Sequence, residues 1–145
     1  MQNLFVPLRR AWDLYARNTL RINPRWIISS GYRPTAYNKK IGGSKTSAHR
    51  FGYAIDVQLE QFVGSSSAKR TGAAYLSGFL KSFLTKNRNI NFDQILVEYK
   101  GHSVATSSTS WIHIAYKNSS GQCRRQFYWS FSATNGGKGA VREIL

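Results

Sequence analysis

Two histidines and one aspartate have the residue types and spacing to hold a metal ion. The stretch Ser47-Ala48-His49-Arg50-Phe51-Gly52-Tyr53-Ala54-Ile55-Asp56 contains one of three histidines and one of six carboxylates, in a chain otherwise loaded with positive charge. Gly52 and Ala54 between them are small, as a site needs where backbone passes close to something bound. A second stretch, Ser110-Trp111-Ile112-His113-Ile114-Ala115-Tyr116, places another histidine in an apolar run of strand character. Imidazole nitrogen and carboxylate oxygen bind zinc at about 2 Å, and a catalytic site uses three protein ligands plus water. His49, Asp56 and His113 are therefore the candidate ligands of one ion. Two histidines and a carboxylate also suit non-haem iron. The spacing excludes a helical histidine pair one turn apart.

For these residues to meet, strands must carry them. From Tyr53 to Leu59 the alternation sends Tyr53, Ile55, Val57 and Leu59 one way and Ala54, Asp56 and Gln58 the other. Trp111 to Tyr116 reads as a second strand, with Trp111, His113 and Ala115 on one face. If the two are neighbours, facing side chains stand about 5 Å apart, within reach of one ion. Phe92 to Tyr99 is a third strand, with Gln94, Leu96 and Glu98 on one face.

The remaining elements support this sheet. Leu4, Leu8, Trp12 and Tyr15 form an apolar stripe on a helix over 4–20, with Pro7 tolerated in a first turn. Tyr75, Leu76, Phe79, Leu80, Phe83 and Leu84 form another over 71–86, assigned to packing on the sheet. Trp26 to Ser30 reads as a short buried strand, residues 34–48 as a loop, 64–69 as a Ser-rich linker and 124–131 as an edge strand. The Gly-rich end from Asn135 shows no clear pattern. The expected fold is α+β, two main helices on a mostly antiparallel sheet, in a single domain over 1–145.

Composition narrows the partners. Cys123 is the one cysteine, which excludes an intramolecular disulfide and a cysteine-based metal site. No apolar run approaches a membrane span. Arg9, Arg10, Asp13 and Arg17 interrupt any secretory signal, so the expected product is a monomer made in a cytoplasm. A net charge of +15 implies a polyanionic partner, either nucleic acid or an anionic cell wall.

The pattern Ser47-x-His49-x-x-Gly52-x-Ala54-x-Asp56, followed by Trp111-x-His113, resembles the signature of the D-alanyl-D-alanine peptidase family of zinc enzymes. That family includes cell-wall carboxypeptidases and the L-alanyl-D-glutamate endopeptidases of bacteriophage endolysins, with a metal-site fold similar to the hedgehog signalling domain. Ser30-Gly31-Tyr32-Arg33-Pro34 resembles the family's upstream segment, so the likeness spans about residues 29–116. Taken singly, His113 reads as a core histidine and Asp56 as a turn cap; at family spacing the metal reading prevails.

The resemblance implies zinc on His49, Asp56 and His113, and peptidoglycan as substrate. Arg33 would reach a substrate carboxylate or the developing oxyanion, and Ser47 would orient a ligand or a substrate group. One position departs: many relatives carry the catalytic acid three residues before the second histidine, where this chain has Ser110. Glu98 is the nearest carboxylate upstream of His113 and becomes the expected general base, with His102 a weaker candidate for stabilising the transition state. Two other readings stand beside the peptidoglycan endopeptidase. One is nucleic-acid binding through Arg124, Arg125, Phe127, Tyr128 and Trp129. The other is a non-catalytic zinc domain of hedgehog type, suggested by Ser110.

Overall fold

The computed structural model describes residues 2–100, 107, 108, 110–131 and 142–145. Six strands among them form one sheet: β1 (Trp26–Ser30), β2 (Ala54–Leu59), β3 (Gln94–Tyr99), β4 (Ser110–Ala115), β5 (Gln126–Phe131) and β6 (Arg142–Ile144), in the order β1-β2-β4-β3-β5-β6. All neighbours pair antiparallel except β3 and β5, which run parallel, so the sheet is mixed. The helices are α1 (Gln2–Tyr15), α2 (Thr35–Lys40) and α3 (Ser66–Lys86). The architecture is the expected α+β.

The sheet has two unlike faces. Val57, Leu59, Ile95, Val97, Ile112, Ile114 and Phe127 pack against Leu4, Leu8 and Trp12 of α1 and Leu76, Leu80 and Leu84 of α3. Burying side chains of this size contributes about 1.5–3 kcal/mol each, the main drive to fold. The opposite face carries Asp56, Leu96, Glu98, Trp111 and His113, which line an open cleft. Period-two alternation thus separates a packing face from a working face.

Several elements differ from the sequence reading. Strand β1 is an exposed edge, with Ile28 60% exposed, because among the described residues only β2 pairs with it. Residues 34–48 hold α2 and the start of a 3-10 turn (Ala48–Phe51), and helix α3 begins inside the supposed Ser-rich linker, where the Ser65 hydroxyl accepts from Ala68 N at 3.0 Å. Strand β5 is interior, since β6 covers it. Pro7 lies in the second turn of α1, and a π-helical turn (Ala16–Leu20) completes the stripe. No helix of the described residues is long and apolar enough to cross a membrane.

Gly52 ends the 3-10 turn that carries His49, at φ +68°, and its missing Cβ would meet nothing within 4 Å. Backbone conformation, not close approach, therefore requires glycine there. Gly52→Ala is expected to cost about 1–2 kcal/mol, the penalty of the left-handed region for an L-residue. Urea denaturation measures it, and an unchanged midpoint would contradict the assignment.

Candidate metal centre

His49 is held by two bonds to one short segment. Its Nδ1 donates to Gly31 O at 2.7 Å, and its carbonyl accepts from Arg33 N at 2.9 Å. A carbonyl only accepts, so Nδ1 carries a proton and Nε2 is the ring atom turned to the cleft. Asp56 comes from β2 and His113 from β4, and the register sets them directly opposite each other.

Three atoms converge. His49 Nε2 lies 3.1 Å from Asp56 Oδ1, His113 Nδ1 lies 3.0 Å from the same oxygen, and the two ring nitrogens are 3.1 Å apart. The Asp56 oxygen is thus the shared partner of both rings, and all three atoms are of the kind that ligate a metal ion. Donors on a tetrahedral ion at about 2.0–2.1 Å stand roughly 3.3 Å apart, so the triangle fits one metal ion with little adjustment. Its side chains are 3%, 7% and 12% exposed for His49, Asp56 and His113, which leaves His113 nearest the open side.

Arg33 completes the support. Its Nη2 donates to Asp56 Oδ2 at 3.0 Å and its Nε to Ser30 Oγ at 2.9 Å, so it fixes the carboxylate oxygen that faces away from the histidines. Burial alone would raise the Asp56 pKa. Hydrogen bonds and charge from His113 and His49 outweigh it and hold the group well below the usual carboxylate range. Asp56 is thus ready to bind a cation without losing a proton.

Glu98 lies beside this cluster. It pairs with Trp111 across the β3–β4 ladder and is the diagonal neighbour of His113, on the same face. Trp111 Nε1 donates to Glu98 Oε2 at 2.5 Å. Burial raises the Glu98 pKa and the Asp56 charge adds to it, against the opposing pull of His113 and of the Trp111 bond. Ser110 lies on the other face of β4, buried on the side of Ile112 and α3. A side chain at 110 thus points away from the cluster, and the carboxylate that lies beside it is Glu98 of the adjacent strand.

The other expected residues divide. Ser47 lines the cleft with Ser44 and Thr46. That wall is built by the turn after α2, where Asn38 Nδ2 donates to Ser44 O at 2.8 Å and a Cβ on Gly43 would clash with the Asn38 amide. His102 falls outside the described residues. Arg125 is tied inward, its guanidinium donating to the carbonyls of Leu145, Ile90 and Leu84. Phe127 is 1% exposed core. Two members of the expected nucleic-acid patch are thus engaged within the fold, Arg125 by backbone carbonyls and Phe127 in the core. Arg124, Asp93, Gln94 and Tyr128 line the cleft instead, a role the sequence did not suggest.

A three-ligand cluster at the floor of a cleft of about 550 Å³, with a carboxylate alongside, has the parts that metal-assisted hydrolysis requires. Residues 22–93, just under half of the chain, match the family model of Peptidase M15. The matched stretch includes Arg33, Ser47, His49 and Asp56, and stops before Glu98 and His113, which the strand register brings to the same place. Nothing matches among curated proteins or among solved structures. The match and the cluster together support a metal-dependent peptidase.

The two carboxylates have opposite linkage to stability in the metal-free protein. Glu98, raised above 4.5, contributes stability that is complete below that pH and is lost as pH rises through its own pKa. Asp56, lowered from 3.8, contributes stability that is complete above that pH and is lost only as pH falls further. Urea midpoints of metal-free Glu98→Gln are expected to lack the first loss, leaving the variant at least as stable as wild type at neutral pH. A variant less stable at pH 7 and equally stable at pH 4 would contradict the sign.

Proposed function

We propose that this chain is a zinc peptidase that cuts the peptide stems of peptidoglycan, acting within the strand of the stem as an endopeptidase of the phage-lysin kind. The observation that carries the reading is the convergence of His49, Asp56 and His113 beside Glu98 on the floor of an open cleft. The donor set of two nitrogens and one oxygen suits zinc, and no cysteine takes part. Zinc held there would act as a Lewis acid that polarises the amide carbonyl and acidifies water.

The chain's own residues supply the rest. Glu98 takes the proton from the attacking water and returns it to the leaving amine. A pKa raised by burial brings a carboxylate nearer the working pH, where proton transfer in both directions is efficient. The Trp111 bond holds its Oε2 and so orients the other oxygen. Arg33, bound to Asp56, brings a fixed positive charge to the same wall as the reacting carbonyl. The cleft continues past the cluster both toward Trp111 and toward Gln94 and Arg124, which suits a substrate extending on both sides of the cut bond. The +15 net charge would concentrate the protein on anionic wall polymer.

Mass spectrometry of purified peptidoglycan, incubated with zinc-loaded protein, tests this. New stem-peptide ends are expected, absent after chelation. Glu98→Gln is expected to retain zinc and lose at least about 100-fold in rate, the usual contribution of general acid–base catalysis. An intact wall with zinc-loaded wild type would leave a non-catalytic zinc domain as the reading. Full activity in Glu98→Gln would remove Glu98 from the mechanism.

A further inference from the structure

The cleft holds a second guanidinium that the hydrolytic machinery does not use. Arg124 donates from Nε and Nη2 to Oδ1 and Oδ2 of Asp93, at 2.7 and 2.8 Å. Asp93 is 3% exposed, whereas the Arg124 side chain is 41% exposed. The buried carboxylate therefore sits behind the guanidinium and fixes its plane, while the outer edge faces the cleft. Because Nε and Nη2 meet Asp93, Nη1 is the corner of the guanidinium turned away from that carboxylate. Arg33 differs: its side chain is 17% exposed and its charge is committed to Asp56.

Position adds a distance. Asp93 precedes Gln94, the first residue of β3, and Leu96 stands opposite His113. Three strand residues separate Asp93 from the level of the metal cluster, about 10 Å at 3.3 Å per residue. Extended peptide covers the same length in about three residues. Glu98 lies on the other side of that level, so Arg124 marks the end of the cleft away from the base. Gln94 and Tyr128, joined by a 2.6 Å hydrogen bond, form polar wall between them. The negative groups in the cleft are Asp56, Glu98 and Asp93; the first faces the metal site and Arg33, the second lies at the opposite end, and the third is already paired.

We propose that Arg124, held in plane by buried Asp93, is a substrate-binding subsite for a carboxylate carried about three residues from the scissile amide. A rigid guanidinium fork recognises a carboxylate with directional, charge-assisted bonds that an amide cannot match. Such a contact selects stems bearing a free acid at that position over amidated ones. The inference rests on the peptidase reading, because it measures distance from the metal cluster.

Binding to zinc-loaded Glu98→Gln protein tests it apart from turnover. Three stem-type tetrapeptides serve as probes: unmodified, amidated at the C-terminus, and amidated at the side-chain acid. One of the two amidations is expected to weaken binding about tenfold, identifying which carboxylate is bound. In Arg124→Met that preference should collapse to none, and Arg124→Lys should retain part of it. The double variant Asp93→Asn/Arg124→Met removes both charges and guards against misfolding from an unpaired buried Asp93. Equal binding of all three peptides, a preference that survives Arg124→Met and the double variant, or no binding at all would overturn the subsite. Discrimination with no hydrolysis by wild type would instead overturn the peptidase reading alone.

Discussion

His49 Nε2, Asp56 Oδ1 and His113 Nδ1 meet within about 3 Å of one another on side chains nearly closed to solvent. Holding three such atoms at one point requires that their carriers be fixed, and much of the fold does so. The Gly31 carbonyl sets the tautomer of His49, Arg33 ties back the outer oxygen of Asp56, and the β2–β4 register places Asp56 against His113. The three atoms are thereby spaced as ligands of one cation would be.

The rest of the molecule divides around that constraint. Helices α1 and α3 cover one face of the sheet and contribute the apolar burial that stabilises it. Arg125 fastens the end of α3 to β5 and the C-terminus by donating to the Leu84 and Leu145 carbonyls. The turn after the short α2, held by Asn38, forms a cleft wall rather than core, so Ser44, Thr46 and Ser47 line the cleft. Strands carry Asp56, His113 and Glu98, while a short 3-10 turn carries His49, and strand-borne groups keep their spacing better than loop-borne ones.

Much of this was legible in the sequence, for identifiable reasons. The alternation in 53–59 and 111–116 survives because each strand has one packed face and one polar face, so Asp56 and His113 could be placed together before any register was known. Glu98 was legible by the same rule. What failed were features set by remote contacts. Trp26-Ile27-Ile28 reads as buried on composition, yet its place at the sheet edge decides its exposure. The parallel pairing of β3 with β5, and β6 beyond it, depends on a crossover that no local pattern encodes. Arg124 and Arg125 are identical in the sequence and opposite in role: one faces the cleft from Asp93, the other is locked among backbone carbonyls. Ser110, read as a missing acid, lies on the face of its strand opposite His113.

The most direct measurement is a zinc titration of the metal-free protein by native mass spectrometry, followed by X-ray absorption at the zinc edge. One ion per chain is expected, with nitrogen and oxygen neighbours at about 2.0–2.1 Å and no sulfur. That ion should be lost from His49→Ala, Asp56→Ala and His113→Ala alike. Zinc that binds through Cys123, or that remains in all three variants, would contradict the metal centre described here.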